Sequence, residues 1–79
     1  MTVSNVQHDQ RILRILDDGK LLRREIVHHL ERLEEDDKWE GSHQIANLYF
    51  AMDKVDEVIG ALEIELSPEA SAEYESAKA

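Results

Sequence analysis

The fold is decided by residues 43–66, which read HQIANLYFAMDKVDEVIGALEIEL. Apolar side chains recur in this stretch at alternating spacings of three and four, which places them on one face of a helix. These residues are Ile45, Leu48, Met52, Val55, Ile59, Leu62 and Leu66. Ser42 precedes the stripe as a suitable N-cap, and Pro68 beyond it cannot continue a helix. The pattern therefore predicts one long helix.

Gly60 lies inside this predicted helix, where glycine costs about 1 kcal/mol relative to alanine. Two interpretations are open. The glycine marks the close approach of a neighbouring backbone, or it is an exposed and tolerated residue.

The first half of the chain shows the same period less cleanly. One heptad frame holds Ile12, Ile15, Leu22, Ile26 and Leu33, with Gly19 and His29 at the missing positions. Either a single helix runs from about His8 to about Glu35, or a turn at residues 17–20 separates helices over about 8–17 and 20–36. Because Asp-Gly is a strong turn signal and Asp18 can cap a second helix, we favour the turn.

Three segments complete the predicted organisation. Residues 1–7 are expected to form a flexible N-terminus, and residues 8–66 a single helical domain whose residues 36–41 form a polar turn. Residues 67–79 contain only Tyr74 as a large apolar side chain. Although Ser67 and Pro68 could start a short helix, we expect a frayed or disordered acidic tail there.

The predicted fold class is all-α, as a small antiparallel helical bundle of two long helices or three helices. No segment of useful length alternates strictly between apolar and polar residues, so no strand is expected. Tyr49, Phe50, Val58 and Ile64 widen the apolar face of residues 43–66 beyond what one partner helix covers. We therefore expect homodimerisation to complete the bundle.

The composition limits the classes of function. The 79 residues include no cysteine, which excludes a disulfide framework and a thiolate metal site. The longest apolar run, residues 48–52, is far shorter than the roughly 20 residues that span a bilayer. The first residues lack the pattern of a signal peptide. We therefore expect a cytoplasmic protein with no membrane contact.

The net charge of −9 is unevenly distributed along the chain. Residues 1–30 carry five basic and four acidic residues, a balance of +1, whereas residues 31–79 carry four basic and fourteen acidic residues, a balance of −10. An acidic surface attracts basic protein surfaces and repels nucleic acid. A protein partner with a basic surface is therefore expected, and nucleic acid is the less favoured partner.

No residue pattern indicates catalysis. Glu25 and His28 have the Glu-x-x-His spacing of di-iron bundles, but the chain holds one such motif where two are needed. His8 and His43 have no nucleophile and orienting acid near them in sequence. We therefore expect no enzyme activity, no catalytic residue, no cofactor and no metal.

Basic residues in the first half suggest an alternative function. They are Arg11, Arg14, Lys20, Arg23 and Arg24. A short helix, a turn and a longer basic helix over residues 11–34 would have the coarse shape of a helix-turn-helix DNA-binding regulator. Residues 44–62 have a fainter likeness, which the acidic residues of that segment oppose.

The preferred function is that of a non-catalytic regulator, adaptor or inhibitor that binds another protein, one version being a nucleic-acid mimic. Trp39 either plugs the end of the bundle or anchors a partner. The acidic residues of the turn and of the long helix would meet the basic partner. The predicted partner-binding residues are Glu34, Glu35, Asp36, Asp37, Trp39, Asp53, Asp56 and Glu57.

Overall fold

The computed structural model describes residues 5–78, which are almost entirely helical. Helix α1 spans Asn5–Glu34, α2 spans His43–Ile64 and α3 spans Pro68–Lys78. A short 3-10 helix, Asp37–Trp39, lies in the connection between α1 and α2. Residues 5–78 contain no strand, and the predicted all-α class is confirmed.

Helix α1 passes through Gly19 without a break, so the predicted turn at residues 17–20 is wrong and the single-helix alternative is correct. A Cβ atom at Gly19 would lie only 3.3 Å from Ile59 Cγ1 of α2. The glycine therefore allows α2 to approach α1, and this tertiary contact outweighs the turn preference of the Asp-Gly pair. At Gly60, by contrast, a Cβ would meet no described atom within 4 Å, which contradicts the close-approach interpretation there.

Helix α2 follows the predicted stripe closely. Ser42 is its N-cap, with Oγ accepting a hydrogen bond from the backbone N–H of Ile45 at 3.3 Å. Every stripe residue is at least half-buried. The helix ends at Ile64, so that Leu66, the most buried residue of the stripe, lies in the link to α3.

Contacts between α1 and α2 run in opposite order along the two helices. Near the connection, the Tyr49 hydroxyl donates to Glu34 Oε1 at 3.0 Å. Further along, Arg23 Nε lies 2.6 Å from Asp56 Oδ1. These contacts place the start of α2 beside the end of α1.

Helix α3 replaces the predicted frayed or disordered tail. Ser67 binds Asp9 of α1 twice, through its backbone N–H at 2.9 Å and its hydroxyl at 2.6 Å. Its Oγ also accepts from the backbone N–H of Ala70 at 3.3 Å, which caps α3. Ala70 and Tyr74 are buried. The start of a short helix at Ser67 and Pro68 is confirmed. The contact with Asp9, 58 positions away, has no signal within residues 67–79.

The predicted flexible N-terminus falls partly outside the described residues. Residues 1–4 lie outside them, as does Ala79 of the predicted tail. Residues 5–7 are helical, because α1 begins at Asn5, three residues earlier than expected. The hydrogen bonds that Ser67 donates to Asp9 anchor this first part of α1.

The core is small and lies mainly where α3 meets α1. Leu16 is its fully buried centre, and no residue of α2 is fully buried. The buried apolar residues are Ile12, Leu16, Leu30, Leu33, Leu66, Ala70 and Tyr74. The molecule measures 53 × 29 × 14 Å, so it is elongated. None of the helices over residues 5–78 is long and apolar enough to cross a bilayer.

Candidate interaction surfaces

The connection end of the molecule, defined as residues 29–48, carries an apolar hollow of about 470 Å³. Trp39 forms one wall and is half-buried, with Lys38 Nζ 5.2 Å from the centroid of its ring. The residues that line the hollow are His29, Leu33, Trp39, Gln44, Asn47 and Leu48. Because Trp39 keeps part of its surface accessible, it is able to contact a partner as well as close the helix pair.

A second hollow at the connection end is acidic. Glu34, Asp37 and Glu40 line it together with Gly41 and Ile45. All three carboxylates are exposed. Gly41 has a φ of +70°, a left-handed conformation that glycine adopts without strain, and it turns the chain into α2. The arrangement places three negative charges around one opening, which suits a lysine or arginine side chain.

The hydrogen bond from Tyr49 fixes Glu34 at the edge of this acidic hollow. The Tyr49 hydroxyl donates to the Glu34 carboxylate, and that bond together with the negative charge of Glu34 raises the pKa of Tyr49 above its ordinary value of 10.0. The Tyr49 hydroxyl therefore remains a hydrogen-bond donor to Glu34 at neutral pH.

Asp36 and Glu35, the other predicted acidic residues of the connection, do not line the acidic hollow. Asp36 caps the 3-10 helix, since its Oδ1 accepts from the backbone N–H of Lys38 at 3.2 Å. Glu35 is exposed beside it. In all, residues 29–48 hold six acidic and two basic side chains, so this end of the molecule is negative.

The structure does not bring Asp53, Asp56 and Glu57 to the connection end. Asp53 lies ten residues beyond the start of α2, which is about 15 Å along the helix. Asp56 is paired with Arg23 at 2.6 Å, and Glu57 with Lys54 at 3.4 Å. Basic neighbours thus offset both charges. The predicted partner-binding residues therefore form two groups, of which only the group around the connection adjoins the two hollows.

The eight predicted partner-binding residues omit Glu40, although the acidic residues of the turn were expected to meet the partner, and they omit the apolar wall contributed by Leu33 and Leu48. Glu40 directly precedes Gly41 in the polar turn, and that position is a signal that could have included it. The hollow itself has no local signal, because its lining joins the last turns of α1 to the first turns of α2.

A separate apolar surface extends along the helix pair, and we call it the open face. It consists of Ile15, Leu22, Ile26, Ala51, Val55 and Val58. The α1 members continue at helical spacing to Leu33 and the α2 members to Leu48, and these two residues line the apolar hollow together. Both stripes therefore lie on one side of the molecule.

Helix α3 does not cover the open face. The hollow between α1 and α3 is lined by Leu13, Lys20 and Tyr74, among others. Leu13 and Leu16 pack with Ala70 and Tyr74 of α3, and they lie about 200° and 100° around α1 from Ile15. The contact with α3 is therefore centred away from Ile15. Ile15 is 41% exposed, Leu22 49% and Val58 56%. Large apolar side chains therefore remain in contact with water on this face.

The predicted helix-turn-helix shape over residues 11–34 is contradicted, because α1 is continuous there, and residues 44–62 likewise lie in one helix. Two of the basic residues contact other side chains: Arg23 pairs with Asp56, and Lys20 Nζ lies 4.1 Å from the centroid of the Tyr74 ring. Arg11, Arg14 and Arg24 are exposed on α1. The turn that would present a recognition helix is missing.

The histidines and carboxylates of residues 5–78 form no group of three or more that could hold a metal ion. Glu25 and His28 are both exposed on α1. In comparisons with family models, with curated proteins and with solved structures, no match was found.

Proposed function

We propose that this chain is a non-catalytic regulator, adaptor or inhibitor that binds a basic surface of another protein through its connection end. The observation that carries the proposal is the presence of two hollows at the connection end, one apolar beside Trp39 and one lined by Glu34, Asp37 and Glu40. Binding surfaces commonly combine a buried apolar anchor with charged groups at its rim.

Each hollow has a defined part in the proposed binding. An apolar side chain of the partner enters the hollow beside Trp39, where it gains contact with Leu33 and Leu48. A neighbouring lysine or arginine of the partner pairs with the carboxylates of the acidic hollow. A protein that normally binds nucleic acid fits this chemistry, since carboxylates can take the place of phosphates.

The proposal includes an antiparallel arrangement of α1 and α2. Its support is the opposite order of contacts along the two helices, from Tyr49 with Glu34 to Arg23 with Asp56. This arrangement brings the last turns of α1 beside the first turns of α2, and so assembles the two hollows from separate helices.

Charge-neutralising variants test the proposed function with a defined probe. The probe is a synthetic amphipathic helix of leucine and lysine, and its binding is measured by fluorescence anisotropy at low and at high salt. We expect Glu34→Gln, Asp37→Asn and Glu40→Gln in combination to weaken binding by about tenfold, since three exposed ion pairs contribute about 0.5 kcal/mol each. The salt dependence of the remaining affinity should also become flatter.

The matched control removes the same charge elsewhere. Asp17→Asn, Glu69→Gln and Glu73→Gln neutralise three exposed carboxylates that lie outside the connection end. This control should bind like the unchanged protein. Equal loss in both triple variants, or equal affinity for a leucine and glutamate peptide, contradicts the proposal.

A further inference from the structure

We propose that the open face is covered by a second copy of this chain, so that two helix pairs form a symmetric homodimer. The inference goes beyond the proposed function, which concerns the connection end, and rests on it only through the arrangement of α1 and α2. Surface area, shape and charge support it separately.

The exposed area is too large for a compact single chain. The structure has 6206 Å² of accessible surface, whereas a compact protein of 9.1 kDa exposes roughly 4,900 Å². The excess of about 1,300 Å² is larger than the about 800 Å² that each partner buries in an interface of standard size. The surplus area of one copy, taken over its whole surface, is therefore as large as the area that a stable dimer buries.

The molecule is also more extended than a compact chain of this length. The radius of gyration is 16.3 Å, whereas a compact chain of this length has about 12 Å. The shortest dimension is 14 Å. Domains normally bury the apolar side of one layer of helices against a second layer. Within residues 5–78, α3 supplies only part of such a layer, on the side away from the open face.

The chemistry of the open face favours a copy of itself as the partner. A two-fold interface brings the same patch of both copies together, so the patch must be complementary to itself. The open face consists of uncharged aliphatic side chains, which meet their own copies without repulsion. The connection end, with six acidic and two basic side chains, would repel its copy.

The spacing of the apolar residues fits this packing. Ala51, Val55 and Val58 repeat at four and three residues on α2, and Ile15, Leu22 and Ile26 at seven and four on α1. Such spacings allow the side chains of one helix to fit between those of another, as in four-helix bundles. The pairing would bury Leu22 and Val58, which are about half exposed in one copy.

Sedimentation velocity of the full chain over a series of concentrations tests the inference. We expect a mass of two copies for the unchanged protein. Leu22→Glu with Val58→Glu should raise the dissociation constant about 100-fold or more, because it places charges at the centre of the interface. The matched control is Leu21→Glu with Phe50→Glu, since Leu21 is 51% and Phe50 62% exposed and neither belongs to the open face. The control should remain dimeric.

A second measurement guards against a variant that fails to fold. The chain has no cysteine, so Leu22→Cys and Leu21→Cys each introduce one thiol on an otherwise intact surface. The labelling rate at position 22 should fall as protein concentration rises, while the rate at position 21 should stay constant. A monomer at every concentration, an assembly larger than two copies, or equal protection of both thiols overturns the inference.

The two proposals fail separately. Neutralising Glu34, Asp37 and Glu40 should leave the mass at two copies, whereas in the Leu22→Glu, Val58→Glu background the same neutralisation should still weaken binding of the leucine and lysine peptide about tenfold. Loss of only one readout therefore identifies which proposal is wrong.

Discussion

Asp9 of α1 holds the start of α3 in place, a role that its position in the sequence does not reveal. Its carboxylate accepts two hydrogen bonds from Ser67, and Ser67 in turn caps α3. The sequence reveals Ser67 as a cap, because caps are local, but not its partner 58 residues earlier. Trp39 was likewise only partly predictable. A lone tryptophan in a polar turn suggests a contact residue, but the other walls of its hollow come from α1 and α2.

Replacing Asp9 by asparagine should destabilise the protein in a pH-dependent way. The hydrogen bonds from the Ser67 hydroxyl and backbone lower the pKa of Asp9 below 3.8. A lowered pKa in the folded state stabilises the protein above pH 3.8, and this contribution disappears as the pH falls through the folded-state pKa. Thermal unfolding followed by circular dichroism should therefore show Asp9→Asn melting below the unchanged protein at neutral pH.

At a pH below the folded-state pKa of Asp9, the two melting temperatures should converge. Asp17→Asn is the control, because Asp17 is an exposed aspartate on the same helix. A difference between the Asp9→Asn variant and the unchanged protein that persists unchanged into strong acid would show that charge on Asp9 is not the cause.

Among the elements, α2 was the most predictable and α1 the least. The stripe of α2 and its cap at Ser42 are local patterns, and both are confirmed. The turn predicted in α1 is also a local pattern, yet it is wrong, because the contact between Gly19 and Ile59 is tertiary. The order of α3 was underestimated for the same reason, because Ala70 and Tyr74 are buried against Ile12 and Leu16 of α1. Short stretches of sequence reveal helical periodicity and capping residues. Whether a glycine ends a helix or lies at a helix–helix contact depends on packing between distant residues.

The two helical glycines should respond differently to alanine. Gly60→Ala should stabilise the protein by about 0.5–1 kcal/mol, because alanine favours helix and no described atom lies within 4 Å of the new Cβ. Gly19→Ala should gain less or lose stability, because its Cβ would lie 3.3 Å from Ile59. Urea unfolding of both variants measures the difference. If Gly19→Ala gains as much as Gly60→Ala, the proposed role of Gly19 in helix packing is wrong.

In the molecule as a whole, eight large apolar side chains within residues 5–78 are exposed and only seven apolar residues of that range are buried. The sequence indicated this imbalance, because its apolar faces were wider than one helix could cover. It could not indicate which side α3 would occupy, and hence which side would stay open. The connection end was only partly predictable, since Glu34 and Asp37 line the acidic hollow while Asp56 and Glu57 pair with cations elsewhere.

The small core makes its central residue critical. Leu16 is completely buried, and leucine-to-alanine changes at such sites cost about 2–5 kcal/mol. A core of this size provides roughly 3–5 kcal/mol. Leu16→Ala should therefore remove most of the helical signal in circular dichroism at room temperature. Leu21→Ala, at a position that is 51% exposed, should keep it. Similar losses in both variants would place the core elsewhere.

The bond between Asp9 and Ser67 also has a consequence for the order of folding. Helices α1 and α2 are joined by eight residues, so their pairing closes a short loop. The contact between Asp9 and Ser67 spans 58 residues, so we expect it to form after the closer pairing of α1 and α2. On this expectation, docking of α3 is a late step in folding and its release an early step in unfolding. Replacing Asp9 should then raise the rate of unfolding and leave the rate of folding nearly unchanged.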